Sequence, residues 1–240
     1  MKAMILAAGL GSRLGKLTKH IPKPLLPVDG VKLMFYTLDN LREAGVSSAI
    51  ANVHYLSEKM FEFRDYYENT YNALPTLFCK KETELSGTAG ALRACKDFFE
   101  DEEYFIVTSG DVLTNFDFKR LIEYPTDTLA TIVLKRVELS EVSKYGVAVT
   151  DEDGHIIEFQ EKPPVELAKS TFINTGIYLF HRDIFDYIPK TGFCDFAKDI
   201  FPKLVEERQL SSITMNDYWN DIGSVESYAQ AQVDIALKLF

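Results

Sequence analysis

A basic segment opens this otherwise acidic chain. Residues 5–28 carry a hydrophobic run that breaks into glycines, and then Arg13, Lys16, Lys19 and Lys23. No acidic residue precedes Asp29, although the whole chain has a formal net charge of −10. Glycines let backbone N–H groups approach an anion, and cations complete such a site. Solvated surface usually mixes charges of both signs, so the segment predicts a phosphate-binding site.

Two common phosphate-binding motifs do not fit this segment. The dinucleotide fingerprint G-x-G-x-x-G is met by Gly9 and Gly11, but Leu14 occupies the third glycine position. A Walker loop requires glycines five apart, followed by Lys and then Ser or Thr, and here Leu17 follows Lys16. From the glycines alone, a structural turn with incidental lysines stays an alternative.

Asp111 is a candidate metal ligand, and Asp221 is a candidate helix cap. Asp111 follows the predicted strand "EYFIVTSGD", and in open α/β sheets ligands bind at the carboxyl ends of strands. Asp221 lies just before the last predicted helix, which it could cap. Carboxylates together with phosphate oxygens are the ligands that magnesium prefers. We expect either a magnesium site or, for Asp221, a helix cap.

The elements that must position these residues alternate in the first half of the chain. Predicted strands "KAMILA", "SSAIANVHY", "TLFCKK" and "EYFIVTSGD" alternate with predicted helices "LMFYTLDNLREAG", "SEKMFEFRDYYENTY" and "TAGALRACKDFF". This alternation predicts an α/β fold, a Rossmann-like open sheet in three layers that is mainly parallel. No repeat or linker interrupts the chain, so we expect a single domain over residues 1–240.

The second half predicts a mixed or antiparallel extension of the sheet. Strands "TLATIVLKRV", "YGVAVTD", "HIIEFQEKP" and "FINTGIYLF" are separated by short turns. Late helices are predicted in "FDYIP", "DFAKDIFPKLVEER" and "VESYAQAQVDIALKLF". In the last helix, apolar residues at helical spacing predict a core face, namely Val225, Tyr228, Ile235 and Leu239.

Composition narrows the class of protein. Hydrophobic content of 46% and charged content of 26% are ordinary for a globular domain. No apolar run is long enough to span a bilayer, and no signal-peptide pattern is present, so we expect a cytoplasmic protein. Cys79, Cys95 and Cys194 lack metal-binding spacing and are expected to be free thiols. The acidic balance argues against a nucleic-acid-coating protein.

A double motif near the N-terminus resembles a known family. "LAAGLGSR" followed by "KPLLPV" is similar to the signature of sugar-1-phosphate nucleotidyltransferases, the nucleotide-sugar pyrophosphorylases. Further matching stretches follow in order: "ETELSGTAG", "GD" at Gly110-Asp111, "KYGV", "FQEKP", "NTGIY" and "YWNDIG". The matches run from residue 3 to residue 228. One departure is Gly15-Lys16, where the family often has Arg-Pro or a similar pair.

The resemblance implies transfer of a nucleotidyl group from a nucleoside triphosphate to a sugar 1-phosphate, with release of pyrophosphate. It implies that Arg13, Lys23 and Lys162 are catalytic. It assigns the nucleotide to Leu6, Ala8, Gly9, Gly11, Ser12, Glu82, Gly87, Thr88 and Asp111. It assigns the sugar phosphate to Gly146, Glu161, Lys162, Asn174 and Thr175.

The resemblance also implies that Asp111 and Asp221 share one Mg²⁺, for which Mn²⁺ can substitute. No base catalyst is expected, because a phosphate monoester with a second pKa near ~6 is already mostly ionised. Glu161 and Lys162 are neighbours and would point to opposite faces of a regular strand. Both can serve one ligand only if the strand ends or twists there, and Pro163 favours that.

The sequence favours guanine as the base of the nucleoside triphosphate. The Glu82 carboxylate could accept two parallel donors, which guanine offers at N1–H and N2–H. We therefore expect GTP with a mannose-like or heptose 1-phosphate, with uridylyl or thymidylyl transfer as alternatives. Alternatives of other classes are a glycosyltransferase, which would favour an Asp-x-Asp pair, and a non-catalytic sugar-nucleotide sensor. No nucleic-acid or membrane partner is expected, and homo-oligomerisation stays open.

Overall fold

The computed structural model describes residues 1–71, 74–124 and 126–240. Within it, contacts between Cα atoms divide the chain into two compact units. The first unit comprises Met1–Leu85, Thr108–Lys119 and Asp217–Phe240, and the second comprises Ser86–Val107 and Arg120–Asn216. The single domain over residues 1–240 stays a prediction.

The first unit contains a parallel sheet. The strands of the first unit are β1 (Lys2–Leu6), β2 (Pro27–Val28), β3 (Val31–Lys32), β4 (Ser48–Val53), β5 (Thr76–Lys81), β7 (Val112–Thr114) and β13 (Trp219–Asp221), and β1, β4 and β5 form the parallel sheet. Strand β4 lies between β1 and β5 and is parallel to both. The short pairs β2–β3 and β7–β13 are antiparallel. Parallel neighbours joined by helices are the βαβ arrangement that the sequence predicted.

The helices of the first unit are α1 (Leu33–Glu43), α2 (Ser57–Tyr71) and α6 (Val225–Ala236). Helix α1 buries the face formed by Leu33, Met34, Leu38 and Leu41. Its end is set by Gly45, whose φ of 78° is the left-handed conformation common just after a helix. A short helix α4 (Phe118–Ile122) continues from this unit into the second.

The second unit is built mainly on antiparallel strands. They are β6 (Tyr104–Ser109, of which residues 104–107 belong here), β8 (Ala130–Arg136), β9 (Gly146–Thr150), β10 (Ile156–Glu161), β11 (Phe172–His181) and β12 (Leu210–Met215). Strand β11 is antiparallel to β8 and β9, and β9 to β10, whereas β12 is parallel to β8. The predicted change from parallel to mixed pairing along the chain is therefore confirmed.

Two predicted helices of the second unit are divided. The helix predicted over "TAGALRACKDFF" is α3 (Thr88–Ala94) followed by a 3₁₀ turn, Lys96–Phe99. The helix predicted over "DFAKDIFPKLVEER" starts as a π-helical turn, Phe196–Ile200, and continues as α5 (Phe201–Glu206). The segment "FDYIP" contributes to a 3₁₀ helix, Arg182–Tyr187. Pro202 lacks an N–H, which fits a position in the first turn of α5.

The core face predicted for α6 is only partly correct. Tyr228 and Ile235 pack against a buried cluster that includes Val28, Leu113 and Ile222. Val225 is 47% exposed and Leu239 is 60% exposed, so neither belongs to the core. Leu239 lies beyond the end of α6, and helical spacing does not apply there.

Within the described ranges, no helix combines the length and the apolar character needed to cross a membrane. Cys79, Cys95 and Cys194 are free thiols, as expected. Burial raises the pKa of the Cys79 thiol to about 11, which keeps it protonated near neutral pH.

Candidate functional site

The glycine loop starts where β1 ends in the first unit. The backbone N–H of Ala7 donates to Oδ1 of Asn52 at 2.9 Å, which fixes the start of the loop against β4. Gly9 is exposed, and a methyl group added there would meet no described atom within 4 Å. Gly11 has a φ of 65°, which side chains rarely adopt. The loop thus presents open backbone next to the first predicted cation.

Thr18 holds the turn at Gly11 by a hydrogen bond within the loop. Its hydroxyl donates to the carbonyl oxygen of Gly11 at 2.9 Å, and a methyl group at Gly11 would lie 2.9 Å from Thr18 Cγ2. The family departure at Gly15 falls on a kink, because Gly15 has φ 55° and ψ −116° inside the short helix Ser12–Thr18. Arg13 and Lys16 are both exposed on this segment. Two left-handed glycines therefore shape the loop.

Lys23 joins both predicted metal ligands. Its side chain is 8% exposed. The ammonium bonds the Asp111 carboxylate and lies 3.5 Å from Oδ1 of Asp221. The pairing of β7 with β13 places Asp221 opposite Val112, and the N–H of Ile222 donates to the carbonyl of Asp111 at 3.0 Å. Asp111 and Asp221 are thus distant in sequence but both lie close to the Lys23 ammonium.

Arg13 approaches the second of these carboxylates, Asp221. A methyl group added at Gly223 would lie 2.9 Å from Asp221 Oδ2 and 3.2 Å from Arg13 Nη2, so a side chain there would displace these two charged groups. Burial and the nearby Asp111 raise the pKa of Asp221, and Lys23 and Arg13 only partly offset this. The alternative of Asp221 as a helix cap is wrong, since Ser224 accepts the N–H of Ser227 and caps α6.

The donor set fits a divalent cation that also binds substrate phosphates. Asp111 and Asp221 both reach one ammonium, and their mutual repulsion calls for positive charge between them. Among the described residues, no group of three or more His, Cys, Asp or Glu side chains could hold a metal alone. Mg²⁺ is commonly held by one or two carboxylates together with phosphates, which matches this pair.

Glu82 is held by Asn52 and His54. The Asn52 amide donates to Glu82 Oε1 at 2.5 Å, and a ring nitrogen of His54 lies 2.9 Å from the Glu82 carbonyl oxygen. Asn52 is 4% exposed and Glu82 is 8% exposed. One buried amide therefore connects the start of the glycine loop, through Ala7, with the predicted base-reading carboxylate.

In the second unit, Gly87 and Thr88 form the start of α3. A methyl group at Gly87 would lie 2.3 Å from the carbonyl oxygen of Cys194. Glycine is therefore required here by the neighbouring backbone of the same chain. The Thr88 hydroxyl donates to Asp195 at 3.0 Å and accepts the N–H of Phe196 at 2.8 Å. Both residues thus serve the internal packing of α3 against residues 194–196.

Glu161 and Lys162 lie on the same side of the chain. Strand β10 ends at Glu161, and Lys162 has a φ of 48° in the left-handed region. Lys162 Nζ lies 3.8 Å from Glu161 Oε1, so the expected end of the strand brings the two side chains together. A methyl group at Gly146 would lie 3.1 Å from Glu161 Oε2 and 2.6 Å from the Phe159 ring. Gly146 therefore makes room for Phe159 and Glu161.

Asn174 and Thr175 belong to an irregular part of β11. The pairing register with β8 shifts between Asn174 and Tyr178. Asn174 accepts the N–H of Gly176 at 2.9 Å and donates to the Tyr178 hydroxyl at 3.0 Å. Thr175 is 1% exposed and its hydroxyl donates to the Val133 carbonyl at 2.7 Å. The Thr175 side chain is therefore directed to the backbone and not to a ligand, contrary to expectation.

Comparison with known proteins decides the family. A family model described as nucleotidyl transferase matches residues 2–238. The chain belongs to the nucleotidyl transferase family.

Relatives of this nucleotidyl transferase differ in the base that they use. A UTP–glucose-1-phosphate uridylyltransferase of Synechocystis is 39% identical over 96% of this chain. A glucose-1-phosphate adenylyltransferase of Thermosipho africanus is 33% identical over 97% of it. The chain spans 62% of the first relative and 61% of the second.

Solved structures confirm the mixed α/β fold. HddC from Yersinia pseudotuberculosis, solved in complex with GMP-PN, has a TM-score of 0.78 and 28% identity. The alignment covers 98% of this chain and 99% of that chain.

Sequence reasoning missed the residues that hold the nucleotidyl transferase motifs in place. Asn52 follows no motif, and its only signal is a polar residue inside an apolar strand. Asp195 is predicted only as the first residue of a helix, and in the structure it caps that helical turn by accepting the N–H of Ala197 at 3.0 Å. Neither residue could be connected to Glu82 or Thr88 before the fold was known.

Burial of Glu161 gives a stability prediction. Burial raises the pKa of Glu161 above its ordinary value of 4.5, as does Asp195, whereas Lys162 and Lys198 lower it. The native state therefore holds this proton more tightly than the unfolded state, and stability falls as the pH rises above about 4.5 through the native pKa. We expect Glu161→Gln to be more stable than the parent protein at pH 7, with the difference vanishing near pH 4.

Urea unfolding at pH 4, 5, 6 and 7 measures this difference. Glu166→Gln, at an exposed acid nearby, is the matched control and should show no such trend. A Glu161→Gln stability change that is equal at all four pH values would contradict the assignment.

Proposed function

We propose that this chain transfers a nucleotidyl group from a nucleoside triphosphate to a sugar 1-phosphate and releases pyrophosphate. The observation that carries the proposal is a cluster beside an open glycine loop, in which Lys23 contacts Asp111 and Asp221 and Arg13 lies close to Asp221. Cations next to paired carboxylates suit a polyphosphate that arrives with a divalent ion. Membership of the nucleotidyl transferase family supports this chemistry.

The chain's own residues act mainly on charge. The sugar phosphate oxygen attacks the α-phosphorus in line and needs no base, because the nucleophile is already ionised. Arg13 and Lys23 stabilise the charge that develops on the leaving pyrophosphate. Backbone amides of Gly9, Gly11 and Ser12 bind the triphosphate, and the chain at Leu6 and Ala8 supports the loop.

Asp111 and Asp221 would hold Mg²⁺, for which Mn²⁺ can substitute. When bound, such an ion neutralises and orients phosphate oxygens. Lys23 contacts both carboxylates and keeps their charge compensated. The buried ammonium therefore both pairs with the proposed ligands and remains close to the reacting phosphates.

Residues of the second unit take the sugar 1-phosphate in this proposal. Lys162 is exposed and binds the phosphate, and Glu161 accepts a sugar hydroxyl. Asn174 retains one amide hydrogen beyond its bond to Tyr178, which it can donate to another hydroxyl. Gly146 makes room beside Glu161, whereas Gly87 and Thr88 are assigned to the nucleotide in this proposal. The Thr175 side chain is left out, because its hydroxyl is already used.

For the base and sugar, we propose GTP and a mannose-like or heptose 1-phosphate. The Glu82 carboxylate bonds Asn52, a carboxylate can accept several hydrogen bonds, and guanine offers two adjacent donors. The GMP-PN complex of HddC supports guanine. A second candidate is UTP, which the 39% identity to the Synechocystis uridylyltransferase favours.

Pyrophosphate release measured for four nucleoside triphosphates against several sugar 1-phosphates tests the proposal. We expect the highest kcat/KM with GTP and a mannose-like or heptose 1-phosphate. A preference for UTP would replace the base assignment and leave the reaction in place. Absence of pyrophosphate with every pair, in protein shown to be folded, would overturn the reaction itself.

Lys162 provides a prediction with two separable effects. We expect Lys162→Ala to reduce kcat/KM for the sugar 1-phosphate roughly tenfold to a hundredfold, as a charge-assisted hydrogen bond is lost. We expect Lys162→Gly to lose as much activity but to be about 1 kcal/mol more stable than the alanine variant, because glycine tolerates a φ of 48°.

Steady-state kinetics and urea unfolding of both variants check these effects. Lys169→Ala, at another exposed lysine of this unit, is the control and should change neither quantity much. An unchanged KM and kcat for the sugar phosphate in Lys162→Ala would exclude Lys162 from the phosphate site.

A further inference from the structure

A cavity lies in the first unit, and the proposed catalytic residues do not line it. Its volume is about 510 Å³, within the range of small-molecule sites. Its walls come from β3, α1 and α2, and none of the residues assigned above to the nucleotide or the metal lines it. The aromatic side chains among its lining residues are Phe35, Tyr66, Tyr67 and Tyr71. We call it the tyrosine cavity.

The rings of the tyrosine cavity are fixed by one another. Phe35 and Tyr71 pack edge to face with centroids 5.4 Å apart, and so do Tyr66 and Tyr71 at 6.0 Å. Tyr67 is anchored by a hydrogen bond from its hydroxyl to the Leu74 carbonyl at 3.2 Å. Tyr66 is 47% exposed and Tyr71 is 51% exposed. Large, positioned aromatic faces are thus presented to solvent, as in sites that stack a flat ring.

The charge of the wall is set by Lys32. Its ammonium lies 5.4 Å from the centroids of both Phe63 and Tyr66, and among the described residues no carboxylate lies within ion-pair distance of it. The other two charged lining residues neutralise each other, because Arg42 Nη1 lies 2.6 Å from Asp39 Oδ1. In a chain with a net charge of −10, this wall has one uncompensated positive charge.

We propose that the tyrosine cavity binds a nucleotide at a site separate from the catalytic residues. The base stacks on Tyr66, to which the ring of Tyr71 stands at 85°, and Lys32 donates to the phosphate. Asp39 accepts hydrogen bonds from ribose hydroxyls or from an amino group of the base. The ligand is either a free nucleotide or the nucleotide part of a nucleotide sugar, since both carry a flat ring joined to a phosphate. This inference does not depend on the proposed function.

Equilibrium dialysis with radiolabelled GMP tests this second site, since GMP has no pyrophosphate to release. We expect the wild-type chain to bind a second equivalent besides the one at the catalytic residues. Lys32→Gln should weaken that second equivalent roughly tenfold to a hundredfold. Tyr66→Leu should weaken it several-fold to a hundredfold, in line with the loss of one stacking partner. Lys119→Gln, at an exposed lysine outside the cavity, should bind as the wild type does.

Competition against labelled GMP distinguishes the ligand classes. Unlabelled GMP and GDP-mannose should both displace the second equivalent of labelled GMP. The competitor that displaces it at the lower concentration identifies whether a free nucleotide or a nucleotide sugar is the better ligand. Guanosine should displace it poorly, and glucose 1-phosphate should not displace it. A wild type that binds no GMP, or GMP binding that is unaffected in both Lys32→Gln and Tyr66→Leu whether one or two equivalents are bound, would overturn the proposal. Displacement by glucose 1-phosphate as strong as by GMP would also overturn it.

Two controls keep a failure interpretable. Circular dichroism should show equal thermal midpoints for the wild type, Lys32→Gln and Tyr66→Leu. Lys32→Arg keeps the positive charge and should retain binding. Arg13→Ala should weaken the catalytic equivalent and leave the second one intact. Loss of both equivalents in Arg13→Ala would show that the second equivalent also depends on the catalytic residues, and would overturn the proposal.

Discussion

Replacement of Arg13 by alanine should remove most of the activity and leave the fold intact. Arg13 is exposed on the glycine loop, and its guanidinium lies close enough to Asp221 to lower the pKa of that carboxyl. Loss of a donor to the developing transition-state charge costs about 3–4 kcal/mol, or roughly a hundredfold to a thousandfold in kcat. An exposed side chain on a loop contributes little to core stability, so the thermal midpoint should hardly change.

Lys16→Ala is the matched control for this prediction. Lys16 is an exposed cation three residues further along the same loop, and it makes no contact with Asp111 or Asp221 in the described structure. Pyrophosphate release and thermal unfolding of both variants should therefore separate a local role from general electrostatic attraction. Equal losses in Arg13→Ala and Lys16→Ala, or early melting of Arg13→Ala, would mean that Arg13 is not a specific transition-state contact.

Replacement of either Asp111 or Asp221 by asparagine should have a comparably large effect on turnover. If both carboxylates hold one divalent ion, either substitution removes most of the benefit, and the double variant should be little worse than the poorer single variant. We expect roughly a hundredfold or greater loss of kcat and a higher metal concentration for half-maximal rate.

Stability should change in the opposite direction for Asp221→Asn. Burial and Asp111 disfavour the ionised form of Asp221, as its raised pKa shows, and asparagine removes that charge. The variant should therefore be at least as stable as the parent protein while it is far less active. Asp29→Asn, at an exposed aspartate of the same unit, should change neither quantity much. Strictly multiplicative losses with an unchanged metal requirement, or full activity in excess chelator, would exclude the shared site.

Local sequence patterns were sufficient for the elements that carry their own signal. Strand β1 ends close to the first glycine, and α1 ends at a glycine with positive φ, as the pattern indicated. The break after Glu161 was also predictable, because Pro163 disfavours continuation of a strand. These features depend on residues close together in the chain, so the sequence alone specifies them.

Pairings between strands that are distant in the chain could not be predicted from local sequence patterns. Strand β13 is three residues long and exists as a strand only because β7 pairs with it, and this pairing is what places Asp221 near Asp111. Strand β12, "LSSITM", is rich in hydroxyl groups and has no clear apolar alternation, although it forms a regular parallel pair with β8. The contact of Asn52 with Glu82 likewise depends on the parallel register of β4 and β5.

The hydroxyl of Thr18 has a consequence for binding kinetics. Thr18 is 3% exposed and ties the turn at Gly11 by a bond within the chain, so the loop is already ordered when a ligand arrives. Ordering of a flexible loop would otherwise oppose association, by about 0.5–1.5 kcal/mol for each immobilised side chain. Here that entropy loss occurs on folding. Capture of the triphosphate should therefore proceed at a rate set by diffusion and charge, without a slow step of loop closure.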